Sequence, residues 1–215
     1  MGVRKSGYEP KKRNSSTRTR KKIIIISTEG KNKTETKYFR KFNSDKVKII
    51  FARGNATDPV KMAEELVQEC EEKDIKKDYG DRAYCLVDSD IDSKKNEQIA
   101  RADVVAGRNK KYNMEIIVSG PCFEEWFICH HRYSTKQYNS NEEVLDDVEA
   151  VIPDYSKDRE DIYELLVDYQ EQAIQNAKKL DKHCIESGRK RHTSDFQPST
   201  EVYKIIEEIH VLENG

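Results

Sequence analysis

Four consecutive isoleucines, Ile23–Ile26, run into Ser27-Thr28-Glu29-Gly30. Successive side chains of a β-strand point to opposite faces, so this run has no polar face to offer water. It must be covered on both sides. Parallel sheets lie between layers of helices, whereas antiparallel sheets commonly leave one face wet. A single short segment therefore already favours an α/β fold with the sheet inside.

The chain repeats this theme. Lys22–Ser27, Lys46–Phe51, Arg82–Val87 and Met114–Ser119 read as strands. Between them, Lys33–Asn43 is a predicted helix with Tyr38, Phe39 and Phe42 on one side. A second helix starts at Asp58-Pro59, an acidic cap followed by a proline suited to the first turn, and runs to about Lys73. Ser93–Gly107 and Cys122–His131 are the next helices, the latter beginning after Gly120-Pro121. The expected fold is a doubly wound, mainly parallel four-stranded sheet with helices on both faces.

After about Tyr133 the pattern becomes helical only, with helices expected at Asn141–Ala150, Asp158–Ser187 (one or two) and Thr200–Leu212. Ser187–Gln197 reads as a loop, and Thr200 as the cap of the last helix. Three regions result: a basic tail at 1–21, an α/β core at 22–133 and a helical elaboration packed on it at 134–215.

Composition sharpens the functional question. Charged residues make up 37% of the chain and apolar ones 35%, more polar than the ~25% and ~45–50% of average globular domains. No apolar run approaches the ~18–20 residues of a membrane span, and the N-terminus lacks the apolar stretch of a secretory signal. A cytoplasmic protein without a membrane partner is expected. The formal charge of -1 conceals an asymmetry. Residues 1–22 hold nine Lys or Arg and one acid, leaving 30 bases against 39 acids elsewhere, a net of -9. Such a tail suits phosphate backbones, or is simply solvated. The odd count of five cysteines without a CxxC pair argues for reduced thiols. Cys122, Cys129, His130 and His131 match no common zinc spacing, so packing is the preferred reading.

Ligands of open parallel sheets bind beyond the carboxyl ends of the strands. Glu29 follows the first strand there, and Asp88 and Asp90 follow the third. A turn and a helix cap would explain either feature alone. Together they concentrate like charge, which a hard divalent cation with oxygen ligands relieves. Magnesium or manganese is the expected cofactor, polarising a phosphoryl oxygen and activating water. A Glu-Gly after strand one with Asp-x-Asp after strand three resembles the topoisomerase-primase (Toprim) arrangement. A phosphatase of the haloacid-dehalogenase type carries Asp-x-Asp after its first strand, and a glycosyltransferase reading leaves Glu29-Gly30 unexplained.

A closer resemblance runs from Ile23 to Val202. Ser27-Thr28-Glu29-Gly30 with Thr34-Glu35 and Tyr38-Phe39, then Asp88-Ser89-Asp90, then Gly120-Pro121-Cys122-Phe123-Glu124-Glu125-Trp126 with His130, and finally Gln197-Pro198-Ser199-Thr200-Glu201-Val202 resemble, in order, the motifs of the RloB-like family. Gly120 and Gln197 stand where that family usually has asparagine, and His131 where it commonly has phenylalanine. The resemblance implies a Toprim-like core related to OLD-type nucleases. It further implies a role in bacterial anti-phage defence by abortive infection, cleavage of DNA or tRNA, and an AAA/ABC-type ATPase as partner. A non-catalytic sensor that binds nucleic acid or the ATPase is the alternative.

On this reading Glu29 is the catalytic base or a metal ligand, and Asp88, Asp90 and Glu124 hold the metal. Glu124 would otherwise be a first-turn acid facing the helix dipole. Glu35 is an accessory acid or a solvated one, and His130 a proton shuttle or a packed helix residue. Lys31, Lys33, Arg53, Arg189 and Arg191 are candidates for phosphate, or ordinary exposed cations. Trp126 belongs to the core.

Overall fold

A computed structural model describes residues 20–30 and 33–214. Five strands form one sheet in the order β2-β1-β3-β4-β5. They are β1 (Lys22–Ser27), β2 (Val47–Phe51), β3 (Arg82–Asp88), β4 (Met114–Gly120) and β5 (Ser199–Thr200). The first four are mutually parallel, while β5 pairs antiparallel with β4. The molecule is thus a mixed α/β fold with a mostly parallel sheet.

The isoleucine run lies on an interior strand of that sheet. Ile24 and Ile26 join one hydrophobic cluster and Ile25 the opposite one, all three fully buried. Full burial of such a side chain contributes about 1.5–3 kcal/mol. α1 (Lys33–Arg40) covers the first face with Tyr38 and Phe39, whereas α2 (Pro59–Glu72) and α3 (Lys94–Arg108) cover the second with Met62, Leu66 and Ile99. The chain steps outward from β1 to β2 and then reverses to β3 and β4. Right-handed crossovers put helices on opposite faces when the step direction reverses. That reversal opens a crevice at the carboxyl ends of β1 and β3.

Local chemistry sets the helix starts. Asp58 accepts a hydrogen bond from Lys61 N at 2.9 Å ahead of Pro59. Ser140 does the same for Glu143 N at 3.3 Å, opening α5 (Asn141–Val151). α4 (Glu125–His131) starts three residues later than expected. The 158–187 region divides into α6 (Ile162–Leu166), a 3-10 turn and α7 (Gln170–Glu186), and α8 (Val202–Asn214) closes the fold.

Three features go beyond the sequence reading. First, Ser199-Thr200 adds a fifth strand, and Thr200 Oγ1 lies 2.9 Å from Ser119 Oγ across the pair. Second, α4 to α8 share one hydrophobic cluster with β1 and β3, so the later helices complete the sheet's own core. Third, Arg20 and Lys21, assigned to the tail, are tied to the fold. Arg20 makes two bonds to the Asp81 carboxylate at 2.7 and 2.9 Å, and Lys21 Nζ reaches Ser44 O at 2.7 Å. Residues 1–19 of the expected tail lie outside the described residues.

Gly120 explains one departure from the family pattern. A Cβ there would stand 2.7 Å from Phe196 O, with Ser199 Oγ and Ser89 Oγ at 3.2 Å. The segment leading to β5 leaves no space for asparagine. Gln197, at the other such position, accepts a bond from Tyr138 N at 3.4 Å. All five cysteines are free and buried, and no helix among the described residues is long and apolar enough to cross a membrane.

Candidate active site at the carboxyl edge of the sheet

Backbone bonds stitch the strand ends together. Gly30 takes a positive φ of 57° and its N–H donates to Ala56 O at 2.9 Å, which turns the chain away directly after Glu29. Ser89 N donates to Ser119 O at 2.8 Å, and Asp90 N to Pro121 O at 2.9 Å. Asp90 itself sits at φ 51°, a left-handed conformation that aspartate tolerates better than most residues.

Into this edge projects Lys95, from the first turn of α3. Its ammonium lies 2.8 and 3.0 Å from the two Glu29 oxygens and 2.8 Å from Asp90 Oδ2. Asn141 Nδ2 approaches Asp90 Oδ1 at 3.4 Å. Burial would lower the Lys95 pKa, but Asp90 and Glu29 outweigh it and hold the ammonium charged above its usual range. The Asp88 carboxyl is pushed well up, first by desolvation and then by the carboxylates of Glu35, Glu124 and Glu29, with Lys95 opposing.

A second wall closes the far side. Glu35 on α1 and Glu124 just before α4 are both buried. Glu124 Oε1 accepts from Tyr155 Oη at 3.2 Å and pairs with Lys157 Nζ at 3.4 Å. Burial raises the Tyr155 phenol and the Cys122 thiol, and the Glu124 charge raises both further. The loop carrying Tyr155 and Lys157 is anchored on α1, where Thr34 Oγ1 donates to Lys157 O at 3.1 Å and Lys37 pairs with Glu160 at 2.8 Å.

The fold thus brings Glu29, Asp88, Asp90, Glu35 and Glu124 to one edge. Other candidates fall elsewhere. His130 is fully buried, with Nδ1 2.8 Å from Trp126 O and its ring edge-on to the indole at 4.8 Å. Desolvation drops its pKa to about 3, so it stays neutral at physiological pH; this corrects the shuttle reading to a packing one. Glu125, next to Glu124, faces the helical core, where burial pushes its carboxyl well up. Lys31 lies outside the described residues and Lys33 opens α1.

The three arginines assigned to phosphate each have partners within the chain. Arg53 pairs with Glu69 and Glu72 on α2. Arg189 donates to Gln197 O, and Arg191 pairs with Asp181 and, at 3.3 Å, with Glu201 Oε1. A chain this rich in carboxylates supplies partners to nearly any surface arginine, which spacing alone does not show.

Lys95, Tyr155, Lys157 and Asn141 escaped the sequence reading. Lys95 did leave a signal. Cations in a helix's first turn oppose its dipole, so Lys94-Lys95 opening α3 asks for another reason. Tyr155 and Lys157 sit in a loop with no motif, and only tertiary packing brings them to Glu124.

Whether this edge suits a divalent cation is a question of donors and charge. Among the described residues, no three His, Cys, Asp or Glu side chains are arranged to close on one ion. Lys95 supplies the positive charge between Glu29 and Asp90. The donor chemistry still fits a hard cation, because the acids offer oxygen only and exceed the charge of Lys95 and Lys157. Burial and then its acidic neighbours raise the Asp88 carboxyl, and Lys95 offsets only part of that.

One of three comparisons with known proteins finds a match. Searches of curated proteins and of solved structures each found no match. The family model described as RloB-like protein matches residues 24–209, a span that contains every acid of the site as well as β5. The chain belongs to the RloB-like family.

Proposed function

We propose that this protein is a metal-dependent nuclease that hydrolyses phosphodiester bonds in DNA or tRNA as a cytoplasmic effector of anti-phage defence. Membership of the RloB-like family supports the defence role. A Toprim-like core, activation by an AAA/ABC-type ATPase and an abortive-infection outcome belong to the same proposal. The observation that carries it is geometric: Glu29, Asp88, Asp90, Glu35 and Glu124 gather at the carboxyl edge of the sheet, where burial and then the neighbouring carboxylates push the Asp88 carboxyl well up. Magnesium or manganese would be held by Asp88, Asp90 and Glu124, where it would offset that charge and polarise a phosphoryl oxygen.

The chain's own groups have definite tasks. Glu29, its two oxygens oriented by Lys95, takes the proton from the attacking water. Lys95 balances that carboxylate and would offer its ammonium to a phosphate brought to this edge. Tyr155 and Lys157 fix the rotamer of Glu124.

The test is cleavage of labelled DNA and tRNA by the purified chain, with and without the ATPase, in magnesium or manganese. Cleavage should require metal, be weak without the partner, and disappear in Asp88→Asn. Full cleavage by Asp88→Asn and Asp90→Asn, or none by the parent under any condition, would overturn the catalytic reading and favour the non-catalytic sensor.

A further inference from the structure

On the other side of the Glu29 turn lies a cavity of about 390 Å³. That volume falls within the range of pockets for molecules of nucleotide size. Its wall includes Ser27, Thr28 and Gly30, which flank Glu29, so it adjoins the acidic edge directly. The remaining wall comes from α1, the end of β2 with the loop beyond it, α2 and the loop before α6, and includes Arg40, Phe51 and Asn55.

Charge decides the sign of the ligand. Among the lining residues Lys37, Arg40 and Arg53 outnumber the carboxylates of Glu65 and Glu160 by one; Lys37 lies 2.8 Å from Glu160 and 3.9 Å from Asp158, and Glu65 lies 4.0 Å from Lys61. The Arg53 guanidinium is taken by Glu69 and Glu72. Arg40 makes no ion pair among the described residues and is exposed, so the cavity presents one guanidinium in surplus. Guanidinium groups bind phosphate in forked geometry. Phe51 is half-buried against the core and lends an aromatic surface. Asn55 is exposed and offers both a donor and an acceptor. Cation, ring and amide in one concave wall address the phosphate, the face and the edge of a nucleotide.

We infer that this cavity is a subsite for one unpaired nucleotide of a nucleic-acid strand, seated so that the adjoining phosphodiester falls at Glu29 and Asp88. The inference rests on the nuclease reading and deepens it by naming the substrate class. A base within a duplex has both faces stacked and its pairing edge occupied, and does not enter such a cavity. The site therefore selects single strands and loops over duplex.

Fluorescence anisotropy of the full chain without metal, across a salt series, tests this. The probes are a short labelled single strand, the same strand annealed into duplex, and a nucleoside monophosphate as competitor. The single strand should bind roughly tenfold tighter than duplex, and the monophosphate should displace it. Arg40→Gln should weaken binding roughly tenfold and flatten the log–log salt slope by about one phosphate contact. Phe51→Leu should weaken it by a similar factor and leave the slope unchanged, since stacking releases no counterion. Should Phe51→Leu lower the melting temperature, Asn55→Ala in the exposed loop reads the same cavity without touching the core.

Equal affinity for strand and duplex, or parental binding by Arg40→Gln, Phe51→Leu and Asn55→Ala, would overturn the subsite. Should metal-dependent cleavage persist in that case, the nuclease reading stands alone. Variant-sensitive binding with no cleavage by the parent would leave the subsite and remove the nuclease.

Discussion

Lys95 is the counter-charge of two carboxylates from different strand ends, and its side chain is only 10% exposed. Lys95→Met should leave Glu29 and Asp90 facing each other without it. Removing one partner of a fully buried pair costs ~3–5 kcal/mol; here about 2 kcal/mol is expected, because water reaches both acids. Thermal melts without metal should show that loss, and added magnesium should restore more stability to the variant than to the parent. Asp88 behaves oppositely. Its carboxyl is raised in the fold, so the ionised form costs stability once pH exceeds the unfolded value of about 4. Asp88→Asn carries no such charge. In the absence of metal it should melt above the parent near neutral pH, with the gap narrowing as the pH falls toward 4.

At the scale of elements, the short strand β5 is secured by a charged clamp. Glu201, immediately after it, accepts from Val118 N at 3.2 Å and His192 Nε2 at 3.0 Å, and from Lys204 Nζ at 2.8 Å. His192 also meets Asp103 of α3 at 2.8 Å through Nδ1. Burial would lower the imidazole, but the two carboxylates outweigh it and raise its pKa to about 9. Its stabilisation is fully present below the unfolded value of about 6.5 and is lost as pH rises through about 9. His192→Gln should therefore cost roughly 1–3 kcal/mol at pH 6 and little above pH 10, as read from denaturant midpoints at several pH values. A constant difference across that range would remove the imidazolium from the account.

For the whole molecule, charge is divided between the N-terminal segment and the rest of the chain. Residues 1–19 carry six Lys or Arg and one acid, while the remainder of the chain is net acidic. Deleting 1–19, and sparing Arg20 for its bond to Asp81, should leave the melting temperature within about 2 °C of the parent. The same deletion should weaken nucleic-acid binding and flatten its salt dependence, because fewer counterions are released. Matching salt slopes for both forms would leave the segment without that role. A polyanion approaching an acidic body also needs cations from elsewhere, which is the physical case for a partner that supplies them.

The isoleucine run and its spacing from three further apolar segments were enough to expose the parallel sheet, since burial on both faces is written in composition alone. The order of Glu29, Asp88, Asp90 and Glu124 was legible for a related reason: strand ends are local events, and a parallel sheet sets them along one edge. The fifth strand was not, because two residues carry no period and become a strand only by pairing with Ser119 and Gly120. Nor were the partners of the arginines, the neutral burial of His130 or the place of Lys95 between Glu29 and Asp90. Each depends on which side chain arrives from a distant part of the chain. Electrostatic pairing acts through space, and tertiary structure alone decides which charges become neighbours.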